Sequence, residues 1–181
     1  MNWYKEAEDI LVDQQEVDQW IKKIEKNPEE YNNCPFKNLN KIKEITIHSV
    51  FKYSKKSANS IDFNKFTFLY ELIDSCQDMF INLCADIIPD KSGFSSNFAL
   101  FNQIYKKFKS TSLGQKLRRE LIKVLFNKIK ENPDFYYEIR IRNSDSLDSD
   151  LSRDIEIMGK YLKLPISNPK FFIRTQWLGS Y

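Results

Sequence analysis

Four glycines, three cysteines and one histidine are spread through 181 residues, and each scarcity removes a class of chemistry. Gly93, Gly114, Gly159 and Gly179 stand isolated, so there is no glycine-rich loop to cradle a phosphate and no dinucleotide fingerprint. Neither G-x-S-x-G nor H-E-x-x-H occurs, which leaves the common hydrolase and zinc-protease signatures without a foothold. Cys34, Cys76, Cys84 and His48 form the whole inventory of cysteine and histidine. No two of them share the close spacing of a zinc knuckle, so neither a metal nor a cofactor is expected. Three cysteines cannot all pair with one another, and the N-terminus "MNWYKEAEDILVDQQ" is acidic and polar. A cytoplasmic protein of a reducing compartment, without a secretory signal, is the expectation. No apolar run approaches the roughly 18–20 residues of a membrane span, so no membrane partner is expected either.

Catalysis has little else to stand on. His48 follows Glu44 by four residues and would form an oriented acid–base pair on a helix. A half-buried polar residue is the plainer reading. The chain therefore reads first as a binding protein, with a small enzyme of unknown type ranked third.

What is present is apolar substance. The chain is 41% hydrophobic and 14% aromatic, too rich in core-forming residues for a disordered segment. Its length suits one domain spanning residues 1–181. Lysine outnumbers arginine 22 to 6, and alanine is as scarce as glycine at four residues. Lys, Asn, Ile, Phe and Tyr share A/T-rich codons, so the lysine excess carries no function by itself. The distribution of charge says more. Net charge is −5 over residues 1–30, +5 over 31–60, −4 over 61–94 and +7 over 101–142, and the last 39 residues balance. Such blocks would make a dipolar molecule that steers charged partners, unless the acidic N-terminus packs beside a basic block and cancels it.

Helical periodicity dominates. Val17, Trp20, Ile21 and Ile24 fall on one stripe of residues 12–26. From Asp62 some 26 residues carry apolar groups at three- and four-residue steps, among them Phe66, Leu69, Ile73, Cys76, Phe80, Leu83, Cys84 and Ile87. This predicts one long central core helix. A helix capped by Ser95 or Ser96 is expected to run to Lys109 with Phe98, Phe101, Ile104, Tyr105 and Phe108 inward. Another covers 114–132, and a last one, capped by Asp150 or Ser152, runs to Leu162. Asn-Pro recurs in "KKIEKNPEEY" and "NKIKENPDFY", and more loosely in "SNPKFF", as a natural end-and-restart between helices. "EITIHSVFKY" (44–53), "YYEIRIR" (136–142) and "FFIRTQW" alternate as strands do, although Asn-Pro ahead of the second favours a helix. The expected fold is mainly α: a bundle or irregular array of about six helices, with a short β-hairpin as the exception.

One surface stands out. On a helical wheel Leu113, Leu117, Leu121, Val124, Leu125 and Ile129 form a buried arc. Lys116, Arg119, Lys123 and Lys130 cluster within roughly 60° opposite part of it. Lys106, Lys107 and Lys109 precede them, and Arg140 and Arg142 follow. A basic ridge of this extent would neutralise several phosphates of a nucleic-acid backbone without reading sequence. It would equally meet an acidic protein within a larger complex. The plainer alternative is a solvated face whose lysine stems cover apolar surface. A second binding reading is a protein–protein adaptor docking through the aromatic C-terminus, with Trp177 and Tyr181 as its contacts.

Overall fold

Residues 13–56, 63–89, 94–143 and 147–166 are described by a computed structural model, and they are mainly helical. Eight α-helices and two 3₁₀ turns occur, with no strand among the described residues. That is more helices than the six expected, and neither 44–53 nor 136–142 forms a hairpin strand; "FFIRTQW" lies outside the described residues. The chain divides into two compact units, residues 1–83 and 84–181.

In the first unit, α1 (Gln14–Lys26) opens on Asp13, whose carboxylate accepts the Gln15 N–H at 2.9 Å. It buries Val17, Ile21 and Ile24. Asn27 ends it, and the Asn27 side chain accepts the Glu29 N–H at 3.3 Å to start a 3₁₀ turn, Pro28–Asn33. Asn-Pro is thus an end and a restart, as its chemistry implies: Pro has no N–H to lose at the first position. α2 (Asn40–Lys56) packs against α1. Ile45, Ile47, Phe51 and Tyr53 alternate as a strand does because three of the seven buried residues described on α2 are not apolar. Thr46, Ser49 and Ser54 are buried beside Ile42, Ile47, Val50 and Phe51. Thr46 Oγ1 donates to the Ile42 carbonyl at 2.7 Å, and Ser54 Oγ to the Val50 carbonyl at 2.9 Å. Hydroxyls satisfied by the preceding turn can be buried cheaply, and with them counted the period is helical.

The expected long helix from Asp62 is broken. It resolves into a 3₁₀ turn (Phe63–Phe66), α3 (Phe68–Ser75) and α4 (Gln77–Ile87). An unbroken helix would give the Leu72 carbonyl to the Cys76 N–H. Instead Ser75 Oγ and Cys76 Sγ take it, at 2.7 and 2.9 Å, and the Cys76 N–H turns to Ile73 O at 3.2 Å. Cys76 leaves the helical region at φ −137°, ψ 45°. The apolar period crosses the break undisturbed, which is why periodicity alone could not show it.

The second unit contains the end of α4 with α5 (Phe94–Phe108), α6 (Ser112–Glu131), α7 (Asp134–Asn143) and α8 (Ser149–Tyr161). Ser95 and Ser96 lie inside the first turn of α5 and do not cap it. The five inward aromatic and aliphatic residues expected on α5 are all buried. α8 is capped by Asp148, whose carboxylate accepts the Asp150 N–H at 2.9 Å, so neither Asp150 nor Ser152 has that role. α6 is the hub and touches α5, α7 and α8.

The corner between α5 and α6 is tight. Thr111 caps α6 and also donates to the Phe108 carbonyl at 2.7 Å. Gly114 lies so near the end of α5 that a Cβ there would overlap the Phe108 carbonyl oxygen and stand 2.6 Å from Lys109 Cα. A Gly→Ala change inside a helix ordinarily gains about 0.5–1 kcal/mol. Here the overlap is with backbone, which cannot rotate away. Gly114→Ala should therefore destabilise the protein by about 1–3 kcal/mol in urea unfolding; an unchanged or raised midpoint would refute the close approach.

Candidate nucleic-acid interface

The orientation of α6 follows from what it buries. Leu113, Leu117, Leu121, Leu125 and Ile129 are each no more than 1% exposed. Val124, expected among them, is half-buried at the margin. On the opposite face Lys116, Arg119, Lys123 and Lys130 are all exposed. Glu120 and Asn127 share that face, and Lys123 Nζ donates to Glu120 Oε2 at 3.3 Å. Such an exposed pair contributes little and would yield readily to a stronger anion.

The flanking bases are placed differently from one another. Lys106 and Lys107 are exposed in the last turn of α5. Lys109 is committed to the fold: its ammonium donates to Asp148 Oδ2 at 3.0 Å, and the Asp148 side chain is only 5% exposed. Arg140 lies over the Tyr136 ring and donates to the Tyr136 hydroxyl at 3.2 Å and the Ile166 carbonyl at 3.4 Å. Arg142 belongs to α7, but its side chain is outside the described set, as are Trp177 and Tyr181.

Arg118 is not part of the expected ridge, and it has a different task. Seven residues before Leu125, it shares the buried side of α6. Its Nε and Nη2 donate to the two carboxylate oxygens of Asp154 on α8, at 2.6 and 2.7 Å. A guanidinium keeps its charge, so turned toward an apolar face it needs a partner to offset the lost hydration, and its position on the wheel is a legible signal. The identity of the partner, 36 residues away, is not.

Asp148 joins the corner from another direction. Burial pushes its carboxyl up. The hydrogen bond from the Asp150 N–H, with the hydrogen bond and charge of Lys109, outweighs that and holds it below the usual 3.8. The Asn102 side chain also accepts the Asp148 backbone N–H at 3.1 Å.

Nothing comparable assembles around the remaining candidates. Glu44 and His48 stand one turn apart on the outer face of α2, and both are exposed to solvent. Burial pushes the thiols of Cys34, Cys76 and Cys84 up, so at neutral pH they stay protonated and are poor nucleophiles and ligands. Among the described residues no three His, Cys, Asp or Glu side chains converge on a metal-sized point, and no helix is long and apolar enough to cross a membrane.

Adjacent arginines should then behave oppositely. Arg118→Gln should cost about 1.5–3 kcal/mol in denaturant unfolding, since it removes a charged, two-pronged hydrogen bond to a mostly buried carboxylate. Arg119→Gln should stay within about 0.5 kcal/mol of the parent. Equal costs would contradict this division of labour. A pH titration of stability tests Asp148. Its depressed folded pKa stabilises above the unfolded value of 3.8 and loses that contribution as pH falls through the folded value. Asp148→Asn keeps a competent cap but removes the charge. Its unfolding midpoint should lie below the parent's at pH 6, and the two should converge well below pH 3.8. In comparisons with known proteins, no family, no curated protein and no solved structure matches this chain.

Proposed function

We propose that this protein is a non-enzymatic binding or accessory protein that meets a nucleic-acid backbone through the outer face of α6. One observation carries the reading: Lys116, Arg119, Lys123 and Lys130 stand exposed on a single face across four turns of a helix whose opposite side is buried. Basic side chains on a rigid helix face reach phosphates without any ordering of the backbone, although each long side chain still loses rotamer freedom. Such contacts release counterions and are indifferent to base sequence. Lys106 and Lys107 extend the positive surface from α5. Lys109 and Arg140, already engaged with Asp148 and Tyr136, hold the supporting helices.

The number of contacts is measurable. With about three to four phosphates neutralised, affinity for mixed-sequence nucleic acid should fall steeply between about 50 and 200 mM salt. Changing Lys116, Arg119 and Lys123 together to Gln should flatten the salt dependence, each lost contact removing roughly one unit of slope. Circular dichroism should show the triple variant folded as the parent is. A parent that fails to bind at low salt, or a triple variant that binds equally well, would reduce the ridge to a solvated helix face.

A further inference from the structure

The basic face of α6 has an aromatic neighbour. Phe126 comes three residues after Lys123 and four before Lys130, the separations at which side chains on a helix meet. Arg119 lies two turns earlier on the same side. Phe126 is only half-buried, and the ring of Tyr161, at the last turn of α8, covers it with centroids 5.8 Å apart and planes at 57°. Tyr161 is itself 75% exposed, and Ile157, one turn before it, is 56% exposed. An exposed tyrosine backed by a second ring thus stands on the side of α6 that also carries the row of basic residues.

We infer that the ligand of this face is single-stranded nucleic acid, with a base stacked on Tyr161 and the neighbouring phosphates held by Arg119, Lys123 and Lys130; this rests on the backbone-binding reading above. The chemistry separates the two forms of ligand. In a duplex the base faces are stacked on one another and closed to a side chain, so a duplex could use the bases of α6 but not the ring of Tyr161. An unpaired strand offers both phosphates and open base faces. Proteins that hold single strands without sequence preference combine a positive track with aromatic platforms of this kind. Phe126 packs against the Tyr161 ring and gives the platform a backing on the side of α6. The packing of α8 on α6, with Arg118 bonded to Asp154, holds the ring beside the ridge.

The test compares one fluorescent single strand of mixed sequence, about 20 nucleotides long, with the duplex made from it, using the full chain. The parent should prefer the single strand. Tyr161→Ala should weaken single-strand binding by roughly tenfold, leaving duplex affinity and the salt slope unchanged, while Tyr161→Phe, which keeps the ring, should bind as the parent does. Because Tyr161 is exposed, both variants should fold, as thermal unfolding would show. Unchanged single-strand affinity in Tyr161→Ala, or an equal loss on both ligands, would overturn the stacking role. The patch of Ile157 and Tyr161 would then be better matched to an apolar protein surface. That failure leaves salt-dependent binding intact, whereas failure of the ridge itself appears as no binding of either ligand by the parent.

Discussion

Burial of one stripe, Leu113 to Ile129 at four-residue intervals, is the constraint on which the second unit depends. Each such side chain contributes about 1.5–3 kcal/mol relative to an exposed one, whereas an exposed ion pair contributes about 0–1. Packing therefore decides the rotation of α6, and the charges take the directions that remain. A four-residue step advances the stripe roughly 40° around the helix each time. It winds, so no single neighbour can cover it, and α5, α7 and α8 all pack against α6. The basic face is what this winding leaves uncovered.

Polar side chains shape the helices as much as apolar ones do. Thr46 and Ser54 are absorbed into the inner face of α2 because each returns its hydroxyl to a carbonyl one turn back. Ser75 and Cys76 do the same at the end of α3, but there both compete for Leu72 O and the helix stops. The same local chemistry is thus neutral in one place and decisive in another. Asn27 and Asn132 act more predictably. Each ends a helix with its backbone N–H and starts the next turn with its side chain, at Glu29 and Asp134.

Arg118 and Arg119 show how neighbouring residues of one type divide. A step of one residue turns the side chain by roughly 100°, enough to carry a guanidinium from solvent to the contact between α6 and α8. One arginine becomes structural and its neighbour remains exposed to solvent. The meeting of Phe126 and Tyr161 sets an exposed ring against α6, from two helices that lie far apart in sequence.

The amino-acid sequence by itself determined the helical class, the inward face of α5, nearly all of the buried arc of α6 and the four bases opposite it. Those follow from period and burial, which are local properties of a chain with a 3.6-residue repeat. The helical nature of α2 and the break at Cys76 were hidden, because there the identity of the hydrogen-bond acceptor mattered and apolar spacing did not report it. The pairing of Arg118 with Asp154, the commitment of Lys109 to Asp148 and the setting of Tyr161 against Phe126 were decided only in three dimensions. Each joins residues more than thirty positions apart, and which distant groups meet is settled by how whole helices pack.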